Sequence, residues 1–270
     1  MLTNWMMNKG FKVMTNDFYN KISYVIVDTI QHELGQLALQ RSQAAFPLKN
    51  AIVFSDKEKP WTASKFVQIE KINSLAEYSR ILLQDVVQHV ETEHCLIIQY
   101  DGFVINPDIF SKLFLFYDYI GATWPHRTLY NVGNGGFCLR SRRLMEIVAK
   151  NFKNHDLRFP EDHLIARNYR AILEDQFNLK FAPADVANHF SQELTQQPWP
   201  TFGFHGFHLL PQVYKNNLTE LFERMNPTLS VEKDAQMEKV CSELGGHALE
   251  AFEIYRQKVL ASKPPELCPS

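Results

Sequence analysis

Four short stretches of the chain carry side chains able to do acid–base or ligand chemistry. Asp101 follows an apolar, β-rich run over 95–99 and is followed by Gly102. A carboxylate at such a strand tip can ligate a cation, and the glycine lets a ligand come close to the backbone. Gly133-Asn134-Gly135-Gly136-Phe137 is the densest glycine cluster in a chain with only 11 glycines, which implies positive φ values or close approach to a ligand. Its spacing matches neither a P-loop nor a Gly-x-Gly-x-x-Gly fingerprint. Pro160-Glu161-Asp162-His163 sets three titratable groups side by side at a predicted helix start, where an acid could take a proton from a hydroxyl nucleophile. Phe202 to His208 holds His205 and His208 in an aromatic, glycine-rich loop suited to a metal ligand or a phosphate contact.

Each residue type also has a structural use. An Asp that ends a strand can be a turn residue, a glycine cluster can be a hairpin, acids complement a helix N-terminus, and a histidine among aromatics can be packed core. Arg80 precedes the Asp101 strand on a helix; it could reach a nucleotide phosphate or base, or be solvated or ion-paired. Trp124, with His126 and Arg127, follows another strand tip; an indole there can stack on a sugar ring or be buried.

The elements that position these groups follow from hydrophobic pattern. Residues 22–28 read as a buried strand ending in the polar pair Asp28-Thr29, followed by a helix over 33–45 and strands over 51–54 and 66–72. Strand, helix and strand in alternation predict a mainly parallel α/β sheet. Residues 74–90 open with Ser74 and Glu77 in capping-box spacing and place Leu75, Tyr78, Leu82, Val86 and Val90 on one helical face. A strand over 119–123, a glycine-rich turn, a helix over 141–151 and a helix starting at Pro160 come next, then amphipathic helices to about residue 261 and a Pro-rich end.

Composition narrows the partners. With 28 basic and 30 acidic residues and no basic stripe, the chain does not suit a nucleic-acid backbone. Cys95, Cys138, Cys241 and Cys268 lack zinc spacing, so a reduced cytoplasmic protein is the simplest expectation. No window reads as a signal peptide or membrane span, which leaves peripheral contact with the inner face of a membrane open.

Five segments in order, 98–107, 118–126, 133–142, 160–163 and 202–206, together resemble a mostly bacterial family long labelled a domain of unknown function and described as glycosyltransferase-like. That family is similar in turn to the GT-A superfamily, whose members carry Asp-x-Asp at the end of a central strand, a Gly-rich segment near the acceptor, an acidic pair on a following helix and a late histidine ligand. The resemblance implies a GT-A-like, Rossmann-like fold: a mainly parallel central sheet flanked by helices, with a helical C-terminal tail. It implies an N-terminal extension at 1–21, a glycosyltransferase-like domain at 22–210 and a helical segment at 211–270 packed on it.

The same resemblance implies transfer of a sugar from a nucleotide sugar, foremost a UDP-sugar, to a glycan hydroxyl in surface or capsular polysaccharide synthesis. Asp28, Thr29, Arg80 and Asp101 would bind the donor. Asp101 and His205 would hold Mn²⁺ or Mg²⁺, although Asp101-Gly102-Phe103 has only one carboxylate of the expected pair. Trp124, His126, Arg127, Gly133, Asn134, Gly135, Gly136, Phe137 and His163 would line the sugar and acceptor pocket. Asp162 or Glu161 would be the base, which suits inversion. The alternatives are a metal-dependent hydrolase of phosphoesters or sugar nucleotides, and a non-catalytic glycan-binding domain.

Overall fold

The computed structural model describes residues 17–152, 156–194, 200–226 and 231–262. The expected Pro-rich end lies outside the described residues, as does the N-terminal extension up to residue 16.

Strand β1 (Ile22–Val27) is buried at all six positions, as a strand covered on both faces must be. Strands β2 (Asn50–Ser55), β3 (Lys65–Gln68) and β4 (His94–Ile98) join it in parallel, with Tyr24 opposite Ala51 on one side and Leu96 on the other. Strand β5 (Tyr119–Ile120) pairs antiparallel with β6 (Cys138–Ser141), which itself runs antiparallel to β4. The six-stranded order is β3-β2-β1-β4-β6-β5. Only β6 is reversed, so the C-terminal ends of the other five strands and the N-terminal end of β6 share one edge. That edge is where open α/β sheets present ligand sites.

Successive side chains alternate between two cores, as the strand period of two requires. Val25, Val27, Ile52, Phe54, Cys95 and Ile97 face helix α2 (Leu75–Arg80), helix α3 (Arg142–Asn151) and the turns that follow α2 and α4 (Glu161–His163). Tyr24, Ile26, Val53, Leu96, Ile98 and Leu139 face helix α1 (His32–Ala45), helix α6 (Ala184–Phe190) and an aromatic cluster including Phe46, Phe114 and Phe202. Between α4 and α6 lies α5 (Arg170–Asp175). Two short strands, β7 (Ser191–Gln192) and β8 (Gly203–Phe204), pair in parallel beside the sheet edge. Helices α7 (Leu210–Val213), α8 (Leu218–Arg224), α9 (Val231–Leu244) and α10 (Gly246–Ser262) form a third core against Leu34 and Ala38 of α1 and against Phe103 and Phe204.

Several elements differ from expectation. The 74–90 helix starts as expected, with Ser74 Oγ accepting from the Glu77 amide at 3.1 Å, but becomes a π-type turn over Ile81–Asp85. Leu82, Val86 and Val90 are buried as expected and Ile81 and Leu83 join them, while Leu75, in the first turn, is 57% exposed. The strand at 66–72 starts at Lys65 and stops at Gln68. The strand at 119–123 ends at Ile120, and at Gly121 the chain passes so close to the Gly133 carbonyl that a Cβ would meet it at 1.9 Å. Strand β6 was missed, since the charge of Arg140 interrupts the apolar run. Pro160 is the N-cap of α4 in extended conformation, one place before the first helical residue.

Candidate functional site

At the tip of β4 the chain reverses at once: Gln99 and Gly102 exchange backbone hydrogen bonds of 2.8 and 3.0 Å, with Tyr100 and Asp101 between them. Gly102 is required here, because a Cβ would meet the Gly136 carbonyl at 2.8 Å and the His205 ring at 3.0 Å. Asp101 is 5% exposed, and its Oδ1 has no hydrogen-bond partner among the described residues. A buried carboxylate oxygen left so is costly unless a ligand or cation completes it.

His205 is brought over this turn by β8 and held from three directions. Its Nε2 lies 3.2 Å from Gln99 Oε1 and 3.8 Å from Asp101 Oδ1. Its Nδ1 lies 3.1 Å from Glu193 Oε1 and 2.8 Å from the Asn134 amide nitrogen. Burial alone would lower the basicity of His205, but the charges of Asp101 and Glu193 and the Glu193 hydrogen bond outweigh it and raise the imidazole to about 9. Burial disfavours the Glu193 carboxylate too, yet its bonds to His205 and Asn134 hold it below its ordinary range. His208, nearby, is pushed the other way by burial.

The glycine cluster supplies the floor. Asn134 takes a φ of 73°, the left-handed region that Asn tolerates, and its Oδ1 accepts from the amides of Gly136 and Phe137 at 2.9 and 3.1 Å. That fixes the amide so that its nitrogen points at His205. A Cβ on Gly136 would lie 2.1 Å from the His205 ring, and one on Gly135 would lie 2.0 Å from Glu161 Oε1.

The acidic pair is divided. Glu161 is 3% exposed and accepts from the fully buried Arg140 at 2.7 Å, so it neutralises a guanidinium inside the core. Asp162 is half-buried, and its Oδ1 accepts from the His163 amide at 2.7 Å. Burial first and the Glu161 charge second raise its carboxyl to about 7, the range in which a general base is poised at neutral pH.

Beside this cluster, the end of β1 holds Asp28, whose Oδ1 accepts from the amides of Ile30 and Gln31, both at 2.7 Å. Burial, followed by repulsion from Asp101, raises it to about 6 despite those bonds. Thr29 accepts from the Ile72 amide at 3.0 Å. Here opens a cavity of about 380 Å³ lined by Thr29, Ile30, His32, Asp56, Lys57 and Asn226, among others. A second, of similar size, is lined by Gln99, Asp101, Glu193, His205, His208 and Gln236.

Other expected residues lie elsewhere. Arg80 is exposed and paired with Asp85 at 2.8 Å, and neither cavity includes it. Phe137 faces the core rather than a pocket, stacking on Phe190 at 5.1 Å. Trp124 is 9% exposed, with its indole over Gly133 and 6.3 Å from the His163 ring, so its flat face is used in packing. His126 and Arg127 sit on an exposed loop. Gln99 and Glu193 carry no motif in the sequence. Their place is set by the β4 turn and by β7, and the only linear signal near Glu193 is its closeness to the 202–208 loop.

Asp101 and His205 would be the residues to hold a divalent cation. Asp101 Oδ1 lacks a partner and His205 Nε2 stands 3.8 Å from it, but no group of three His, Cys, Asp or Glu side chains among the described residues could hold a metal by itself. Asp101 Oδ1 fits a cation that arrives with a diphosphate and keeps waters, as Mg²⁺ does, whereas an imidazole raised to about 9 is protonated at neutral pH and suits the diphosphate itself.

Fold and site together define an α/β domain with a polar, charge-coupled centre at the sheet's C-terminal edge. The chain belongs to the family described as "Protein of unknown function (DUF5672)", whose model matches residues 50–205. The match runs from β2 to His205 and so contains Asp101, Asn134, Asp162, Glu193 and His205, but not Asp28, Thr29 or His208. No curated protein matches in sequence. Among solved structures the chain is similar to a glycosyltransferase involved in the glycosylation of the major capsid of PBCV-1, at 10% identity and a TM-score of 0.46, covering 81% of this chain and 98% of that one. No described helix is long and apolar enough to cross a membrane.

Proposed function

We propose that this chain is a glycosyltransferase that moves a sugar from a nucleotide-sugar donor, a UDP-sugar in our reading, to a hydroxyl of a glycan acceptor. The observation that carries the reading is the pairing of Asp162, a carboxyl pushed up to about 7, with the Asp101–His205 centre at one sheet edge. The two are close enough for the Asp162 charge to raise His205.

In this reading residues 22–210 form the catalytic unit and 211–270 pack on it. The nucleotide lies across the cavity beside Asp28 and Thr29. Asp101 and His205 meet the diphosphate, and Asn134 to Gly136 present backbone to the donor sugar. Mg²⁺ or Mn²⁺, when bound, would supply positive charge to the leaving diphosphate. Asp162 takes the acceptor hydroxyl proton as that oxygen bonds to the anomeric carbon and the bond to the diphosphate breaks, with inversion. His126, Arg127 and His163 flank the acceptor side. The product would be a surface or capsular polysaccharide built at the cytoplasmic face of a membrane.

A thermal-shift screen of nucleotide sugars, with and without Mn²⁺, tests the donor assignment, since a ligand of the folded state raises the melting temperature. Asp162→Asn is expected to abolish transfer while sparing donor affinity. No shift with any nucleotide or nucleotide sugar would sink the reading. Turnover of donor without acceptor would mark a hydrolase instead, and biological activity surviving Asp162→Asn would mark a non-catalytic glycan-binding domain.

A further inference from the structure

We infer that Glu193 is a positioning residue that acts through His205. Resting on the reading above for what His205 does, the inference concerns how that imidazole is aimed. A histidine in a cleft can rotate, and either ring nitrogen can face the ligand. Here Glu193 Oε1 sits 3.1 Å from Nδ1, on the side of the ring away from Asp101. Nε2 is thereby left facing Gln99 Oε1 and Asp101 Oδ1 at the cavity wall.

The carboxylate is itself well placed for this work. The His205 amide donates to the Gln192 carbonyl at 2.8 Å, so the backbone next to Glu193 and the backbone of His205 are tied together before their side chains meet. The Asn134 amide nitrogen, 2.8 Å from the same ring nitrogen, bonds Glu193 and so braces the carboxylate from the glycine floor. Gly136 and Gly102 leave room for the ring, since a Cβ would meet it at 2.1 Å from the first and 3.0 Å from the second. Glu193 Oε2 has no partner among the described residues, so one carboxylate oxygen is committed to His205 and the other to none of them. This is the arrangement in which a carboxylate behind a histidine fixes the ring orientation; behind metal-binding histidines its loss typically costs about 10- to 100-fold in metal affinity or activity.

The test is a double-mutant cycle on the full chain with Glu193→Gln and His205→Ala, read by UDP affinity in calorimetry with and without Mg²⁺. Imidazole ¹⁵N signals of His205 are recorded alongside without ligand. Glu193→Gln is expected to weaken UDP binding about 10- to 100-fold in the native background. It should have no further effect once His205 is alanine. The ¹⁵N pattern of His205 should change in Glu193→Gln while the other histidines keep theirs. Equal losses in both backgrounds would overturn the inference, as would an unchanged His205 spectrum. If UDP fails to bind the native chain, the transferase reading falls, and the ligand-free spectrum still decides whether Glu193 aims the ring.

Discussion

Arg140 and Glu161 meet at 2.7 Å inside the core, with exposures of 0 and 3%, directly beneath Gly135. The pair holds the start of α4 against β6 and so sets where Asp162 projects. Glu161→Gln leaves the guanidinium buried without its counter-charge. Removing one partner of such a pair costs about 3–5 kcal/mol, and a loss of that size is expected in urea unfolding. A cost below about 1 kcal/mol would show that the pair is not needed for the fold.

Gly135 and Gly136 have separable roles. An alanine at 135 would press on Glu161 at 2.0 Å, whereas one at 136 would press on the His205 ring at 2.1 Å. Both overpack by about 1–3 kcal/mol. Gly136→Ala is also expected to lose nucleotide affinity through the displaced imidazole, while Gly135→Ala acts mainly on stability. Calorimetry with UDP beside chemical unfolding of each variant checks the split.

Transfer should depend on pH through Asp162. The reactive form of a general base is the carboxylate, so with a carboxyl raised to about 7 the rate is expected to rise with pH below that value and level off above it. A profile of kcat/KM from pH 5 to 9 checks this. A rate flat across pH 6 to 8 would remove Asp162 from the role.

Stability should run the opposite way. Asp28 and Asp162 bind protons more tightly folded, at about 6 and about 7, than at their ordinary value of 3.8. Their protonated forms therefore favour folding fully below that ordinary value, and this contribution is lost as pH rises through the two raised values. The melting temperature is expected to fall between pH 5 and 8. Asp28→Asn, which keeps an oxygen for the Ile30 and Gln31 amides, should flatten that slope.

Much of the sheet was readable because burial on both faces selects uninterrupted β-branched runs, as at 22–27, and the start of the helix at 74 because the Ser74 cap acts within one helical turn. Strand β6 was not readable: Cys-Leu-Arg-Ser looks polar until Glu161, 21 residues on, neutralises its arginine. Arg80 and Trp124 were legible as capable residues, but whether an arginine meets a phosphate or a nearby Asp85 depends on a rotamer that no spacing encodes.

By itself the sequence determined the chemistry available at each strand tip and loop: a carboxylate before Gly102, a glycine floor around Asn134, an acidic helix start and two histidines among aromatics. These are local properties, carried by residue type and neighbours within a turn or two. Only the tertiary structure decided which of them act together. The single reversed strand places residues 101, 134, 162 and 205 at one edge, and burial there splits the adjacent acids, leaving Glu161 paired with Arg140 and Asp162 raised to about 7. Glu193 enters for the same reason. Its contact with His205 spans only 12 residues, but it exists because β7 and β8 lie side by side.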